Sequence, residues 1–410
     1  MNSPGEDAAP AAPHPYRWAM LGGLWLIYFG FGLTVASTAP LVEPIARDLG
    51  LSHAAMGSVM GAWPLIYVFS AIPCGALLDR AGPRRALFLG AVMVAASAAA
   101  RGLAGGHLEL FCAVAILGIG GPLIAVGAPK LIGLWFEGPE RGFAMGLYIT
   151  GPTTGNIVAL AGTNALAMPL LGDDWRTVLL VYGGMALAAG IVWLVISSHP
   201  ASRDVERRIA AEPRQSQRAV FSELIRIPAV RLMLFVGMGI FFFNHSLNNW
   251  LPQILRDGGM DPVTAGYWSS VPTVVGMIGA LIIPRLATPE RRFLVLFGLI
   301  GSAFAAVLLI RAQDAGALPV GLIFQGLARG SMSSVAILFL METKGVGSRV
   351  MGAAGGMYFS AGEIGGVLGP LSIGAMFDAT GGFSAPLLML SGVCVMLALV
   401  LARLRMVSRS

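Results

Sequence analysis

Long apolar runs separated by short polar pieces dominate the chain. Twelve such runs stand out, at roughly 18–42, 54–78, 84–103, 108–136, 140–168, 175–197, 230–254, 263–285, 291–311, 316–341, 348–376 and 383–404. The runs are continuous rather than alternating, and most reach the ~20 apolar residues that a helix needs to cross a bilayer. In hydrocarbon the backbone must satisfy its own hydrogen bonds, so unbroken runs of this length predict helices rather than strands. The predicted fold class is an all-α membrane protein of twelve transmembrane helices in two six-helix bundles.

Polar positions then divide the chain. Residues 1–16 are rich in Pro and Ala, with no charged start and no early apolar core, so they read as a disordered tail rather than a cleaved signal peptide. The longest polar interruption carries Arg203, Asp204, Glu206, Arg207, Arg208, Glu212, Arg214 and Arg218. It predicts a cytoplasmic linker over 198–229 between bundles at 17–197 and 230–405, with a short tail at 406–410.

Composition and charge sharpen this picture. Of 410 residues 56% are hydrophobic and 12% charged, against about 25% charged in an ordinary soluble domain. The net charge of +6 sits in loops between spans, so it sets orientation and is no sign of nucleic-acid binding. With the N-terminus inside, the inner face collects Arg17, Arg80, Arg84, Arg85, Arg141, the linker arginines, Arg285, Arg291, Arg292, Lys344, Arg349, Arg403, Arg405 and Arg409. The outer face collects Arg47, Arg101, Arg176, Arg256 and Arg311. Both termini are therefore expected in the cytoplasm, in a multi-pass protein of the cell (inner) membrane. Cys74, Cys112 and Cys394 lie far apart inside apolar runs, so neither a disulfide nor a metal site is expected. No phosphate-cradling loop and no nucleophile–base pattern stands out. The chain is expected to be neither an enzyme nor dependent on a cofactor.

An internal repeat supports two bundles. The segment from Arg47 lines up with that from Arg256, Gly75 with Gly279, Arg84-Arg85 with Arg291-Arg292, Leu117 with Gln325, and Tyr148 with Tyr358. The offset stays at about 204–210 residues. Matches in one order at one offset argue for a duplicated six-helix unit, and paired six-helix halves are a plan of secondary transporters.

The hinge Gly75-x-x-x-Asp79-Arg80-x-Gly82-x-Arg84-Arg85 resembles the signature loop between the second and third helices of the major facilitator superfamily. The resemblance implies that Gly75 permits close helix packing and that Asp79 joins a charge relay holding one gating state. It also implies that Arg80, Arg84 and Arg85 pair with acids on neighbouring helix ends, Glu137 and Glu140 among them. The second-half copy is degenerate, with Pro284 and Leu286 where the acid and glycine would stand. The usual fourth-helix arginine is absent, and Val114 takes its place. Gly151-Pro152-Thr-Thr-Gly155-Asn156 is similar to an antiporter motif, with Asn156 replacing its last glycine. Asn249-Trp250-Leu251-Pro252 and Trp135-Phe136 before Glu140-Arg141-Gly142 resemble the cyanate/nitroimidazole permeases and related small-organic-anion carriers.

Ionisable groups deep in spans are costly and mark functional candidates. Arg329 falls near the middle of the tenth span and Glu363 near the middle of the eleventh. They read either as a structural ion pair or as an anion contact (Arg329) beside a carboxyl that tunes it or carries a coupling proton (Glu363). Asn244, His245, Asn248 and Asn249 crowd the seventh span, as substrate or gate contacts or as interhelical hydrogen bonders. Lys130 either snorkels to the inner surface or faces the cavity as a second cation. Tyr28, Thr34, Ser37 and Thr38 are candidate cavity liners, and Tyr148 and Tyr358 hold matching places in the two halves.

The expected function is secondary active transport of a small polar, anionic organic solute by alternating access. A proton would serve as co- or counter-ion, the lipid bilayer as the protein's surroundings, and the protein would act as a monomer. A multidrug or amphipathic-compound efflux antiporter is the rival within transport. A non-transporting membrane sensor or scaffold is the rival from another class.

Overall fold

A computed structural model describes residues 15–202, 222–312, 314, 316–341, 343, 346 and 351–407. The side chains of Asp79, Pro139 and Met351 lie outside that description, as do most of the predicted linker and both extreme tails. Among the described residues the structure is helical throughout, without a strand. In chain order the elements begin with α1 (Arg17–Ala36), a 3-10 turn (Ala39–Leu41) and α2 (Val42–Leu49). Then come α3 (His53–Leu103), α4 (His107–Trp135), α5 (Gly138–Gly162), a π-helical turn (Thr163–Ala167), α6 (Met168–Leu170) and α7 (Trp175–Ile196). The second half holds α8 (Pro228–Asp257), α9 (Pro262–Leu286), α10 (Arg292–Ala312), α11 (Ala317–Met341), α12 (Met351–Thr380) and α13 (Ser384–Val407).

Among the described residues ten helical stretches are long and apolar enough to cross a membrane, counting the two arms of α3 separately. Two further long helices, α5 and α12, fall outside that set. Both dilute their apolar character with glycine and polar side chains, such as Thr150, Thr153 and Asn156 in one and Ser360 and Glu363 in the other. The surface is strongly apolar, with Phe69, Leu103, Leu108, Leu170 and Leu294 all more than two-thirds exposed. Lipid, not water, suits such a surface.

The predicted hinge is a corner inside α3. Gly82 adopts φ 78° and ψ 160°, a conformation that residues with a Cβ rarely hold. The glycine of the hinge thus has a backbone reason. Polar N-caps start other helices: Asp174 accepts from the backbone N–H groups of Arg176 and Thr177 at α7, and Asp261 caps α9 through Val263 and Thr264. Hydrogen bonding from Thr264 holds the Asp261 carboxyl below the ordinary carboxylate range.

The repeat read from sequence reappears as packing. Gly151 and Gly155 of α5 lie against the backbone oxygens of Trp25 and Phe29 on α1. Gly365 and Gly369 of α12 lie in the same way against the backbone oxygens of Met238 and Phe242 on α8. Gly118 of α4 abuts Trp63 O on α3, and Gly326 of α11 abuts Pro272 O on α9. At each of these six glycines a Cβ would fall within 3 Å of backbone, so small residues let the helices approach to contact distance.

The halves of the chain meet toward the end remote from Arg17 and Val407, here the far end. Leu33, Leu41, Val42, Met56 and Met60 share one core with Leu247, Trp250 and Ile373 of the second half. The other large first-half core, around Met20, Leu24, Leu131 and Trp193, holds first-half residues only. Gly57 and Gly61 of α3 fit against Pro370 and Val367 of α12, and Gly266 of α9 against Leu160 of α5.

Candidate functional site

The second half supplies the charges. Arg329, on α11, donates to Thr273 Oγ1 on α9 in a very short hydrogen bond. Glu363, on α12, is buried, and His245 on α8 brings its Nε2 to 3.7 Å from Glu363 Oε2. Of the two readings of Arg329 and Glu363, the structural ion pair is not formed among the described residues: the α11 arginine reaches sideways to α9, and the α12 carboxyl faces α8. Arg329 still acts electrostatically on His245, so the three groups form one charged neighbourhood.

Several polar atoms on the same three helices lack partners. Asn244 Oδ1, Gln325 Oε1 and Glu363 Oε2 are buried without a hydrogen bond. Arg329 carries five N–H donors, and among the described residues only the bond to Thr273 is formed. A buried polar atom left unpaired costs about 1–3 kcal/mol. A cluster of them is what a site for a polar ligand requires.

The first half supplies rings. The α3 side chain Trp63 stacks on His245 at 5.4 Å between centroids and 29° between planes. Phe241 stacks on the imidazole at 5.8 Å and 15°, so His245 is held between an indole and a phenyl ring. Tyr67, one turn along α3, meets Trp63 edge-on at 6.2 Å and lies within electrostatic reach of Glu363. Gly121 of α4 leaves room where Phe31 and Tyr67 converge.

The other candidates are more scattered. Tyr28 is buried and its hydroxyl donates to Ile124 O (3.0 Å), while Tyr148 packs edge-on against it at 5.1 Å. Tyr358 is buried against Phe241 and Phe359. Asn249 donates back to His245 O at 2.8 Å, and Asn156, Asn248 and Lys130 are half-buried. In the hinge, Arg84 donates to Ser198 Oγ (2.7 Å), and Arg80 and Arg85 are exposed. The Asp79 side chain lies outside the described residues, and Gly75 has nothing within 4 Å of where a Cβ would stand. Close packing at Gly75 is thus not used with the halves joined at the far end. Glu140 pairs with Arg17 (2.9 Å) rather than with a hinge arginine.

Arg101 was expected on the outer face and is instead 1% exposed. It donates to Thr34 O (2.9 Å), Thr38 Oγ1 (3.2 Å) and Ser97 Oγ (3.1 Å). Thr34, Ser37 and Thr38 are buried, and Thr34 and Thr38 hold this arginine at the C-terminal end of α1, where a cation is favoured. They do not line a cavity. A count of charges near span ends assigns such a residue to the surface, and only the fold reveals it as a clamp.

Polar contacts also join the halves at the far end. Asp378 of α12 accepts from the backbone N–H groups of His53 (3.1 Å) and Ala54 (2.8 Å) at the start of α3, and lies 3.3 Å from His53 Nδ1. The His53 ring packs on Phe377 at 3.8 Å and stacks on Trp250 at 5.7 Å. Arg256 of α8 forms a close ion pair with Glu43 of α2, which also holds Arg47 at 2.6 Å. Asn164, in the π-helical turn, donates to Pro40 O (3.3 Å) and to Pro262 O (3.4 Å). The sequence marks Arg47 and Arg256 as outer-face charges and repeat positions but not as partners of Glu43, because a pair of this separation leaves no local pattern.

The sequence profile of the Major Facilitator Superfamily matches residues 24–370. The chain belongs to the major facilitator superfamily. This superfamily member is 27% identical over 398 residues to the uncharacterized transporter YycB of Bacillus subtilis (strain 168), covering 94% of each chain. It is 26% identical to a quinolone resistance transporter of Acinetobacter baumannii, covering 85% of this chain and 84% of that one. It is 24% identical to a D-galactonate transporter of Escherichia coli O6:H1, covering 89% and 90%. Among solved structures, a bacterial homolog of the human lysosomal transporter Spinster, inward-facing and unoccupied, superposes with a TM-score of 0.79. It is 17% identical and covers 96% of this chain and 97% of that one. The superfamily and the apolar helices make this a multi-pass membrane transporter, not an enzyme.

Proposed function

We propose that this protein transports a small organic anion across the cell inner membrane by alternating access, with a proton as co- or counter-ion. The observation that carries the reading is Arg329: a mid-span guanidinium bonded to Thr273 alone among the described residues, on a helix whose Gln325, one turn away, also holds a buried unpaired oxygen. In a low-dielectric site such a cation favours a carboxylate or similar anion, which it can hold by paired hydrogen bonds. Glu363 and His245 stand close enough to exchange a proton through one bridging water, which suits a coupling role. The relative named as a D-galactonate transporter moves an organic acid of this kind.

The rest of the reading follows. Twelve spans form bundles over 17–197 and 230–405, with both termini cytoplasmic. The far end would then be the outer face, and the protein would be closed to that face in this state. Asn244, Asn248, Asn249, Lys130, Asn156, Tyr28, Tyr148 and Tyr358 would contribute contacts as the cavity reshapes, and the Asp79 hinge would latch the opposite state. The protein would act as a monomer.

An efflux antiporter for amphipathic compounds is the second reading, favoured by the rings at Trp63, Tyr67 and Phe241. Proteoliposomes separate the two. Uptake of monocarboxylates driven by an imposed pH gradient and abolished in Arg329→Gln is the expected result. Carboxylate flux unchanged in that variant would overturn the anion site, and flux of bulky cations alone would support the exporter.

A further inference from the structure

The site is two-faced, and its faces differ in chemistry. Arg329, Glu363, His245, Asn244 and Gln325 all stand on second-half helices. The first-half element that meets them, α3, presents Trp63 and Tyr67. Behind these the rings continue: Tyr67 and Phe31 converge at Gly121, Phe31 meets Tyr28 at 6.5 Å, and Tyr28 meets Tyr148 at 5.1 Å. Of the two hydroxyls deep in that row, that of Tyr28 is committed to Ile124 O. Trp63 is half-buried and packs against both the core shared by the halves and the first-half core, so a rigid wall backs its indole.

We infer that this transporter selects small aromatic carboxylates, with the carboxylate at Arg329 and the flat ring against Trp63 and Tyr67. This rests on the anion-transport reading and narrows it. A polyhydroxylated carboxylate needs hydrogen-bond partners along its whole carbon chain. The α3 wall offers one free phenol and two ring faces, so hydroxyls turned toward it would lose water without replacement. A flat ring loses nothing there, gains dispersion contact, and adopts the offset or edge-on geometry that rings prefer.

The test compares two monoanions of equal charge, 4-hydroxybenzoate and D-gluconate, in uptake by full-length protein in proteoliposomes, with protein-free vesicles subtracted. The wild type is expected to favour 4-hydroxybenzoate at least tenfold in kcat/KM. Trp63→Leu should cut that preference about tenfold, and Trp63→Phe should keep most of it. Thermal unfolding in detergent shows whether each variant is folded, and Tyr67→Leu gives a second route if Trp63→Leu is not. Equal or better transport of D-gluconate by the wild type would overturn the inference while leaving the anion site standing. Proportional loss of both substrates in folded Trp63→Leu and Tyr67→Leu would also overturn it, by making the rings structural. Failure of every carboxylate, with Arg329→Gln indistinguishable from wild type, would remove the anion reading and this inference with it.

Discussion

Two arginines within the spans, one in each half of the chain, show opposite uses of the same side chain. Arg101 sits at the end of α1 with three acceptors within hydrogen-bond distance, all from protein. Arg329 sits between α9 and α11 with one, from Thr273. Burying a charge is costly, and the cost is offset only where donors find partners. Arg101 is offset by the fold itself, so it behaves as a rivet between α1 and α3. Arg101 keeps one unpaired nitrogen, Nε, beside an unpaired Thr34 Oγ1, whereas Arg329 has a single protein acceptor, and this difference in the number of partners separates the two uses.

The comparison breaks most clearly at Arg329 itself. Arg329→Gln should lower uptake of a transported carboxylate about a hundredfold, since a hydrogen-bonded charge contributes roughly 1.5–3 kcal/mol. Thermal unfolding of the purified variant should scarcely change. Arg101→Gln should do the reverse. It leaves Thr34 O and the Ser97 and Thr38 hydroxyls short of a donor, so it should destabilise the protein by about 2–3 kcal/mol. Uptake per folded molecule, measured against binding-competent protein, should remain near wild type. If Arg101→Gln proved stable but inactive, the distinction between rivet and site would fail.

A subtler contrast lies in charge against geometry. Arg329→Lys keeps the cation but loses the planar fork, and should cost about tenfold in kcat/KM if the anion is held by paired bonds. Glu363→Gln should leave binding of the anion near wild type and flatten the response of uptake to an imposed pH gradient. The smallest effect belongs to the far end. Glu43 and Arg256 are partly exposed, so Glu43→Gln should shift the balance of states by no more than ~1 kcal/mol, about fivefold. Distances between spin labels on α2 and α8 would report the shift as a larger open fraction at that end.

Much of this was legible in the sequence, because it depends on local or periodic signals. Continuous apolar runs marked the helices, and the offset between Tyr148 and Tyr358 anticipated the matched glycine packing of α5 on α1 and α12 on α8. The hinge glycine proved to be a backbone corner at Gly82. Arg329 and Glu363 were visible as charges in apolar surroundings. Their partners were not, because Thr273 and His245 come from other helices at separations that leave no pattern. Trp63 was hidden for a different reason: one tryptophan in an apolar run looks the same whether it faces lipid, core or ligand. Arg101 misled because a charge near a span end ordinarily lies in water.

The closure at the far end has a consequence for how the protein meets its surroundings. With Asp378 seated on the first turn of α3 and His53 packed on Phe377 and Trp250, a solute arriving from that side meets a plug of protein. Reagents that cannot cross a bilayer should then mark the region of Tyr67 from one compartment only. In vesicles of mixed insertion, the labelled fraction would report how many molecules point each way. The same plug makes the protein a one-way listener in this state, sampling the concentration of its solute on a single side before it commits to a turn of the cycle.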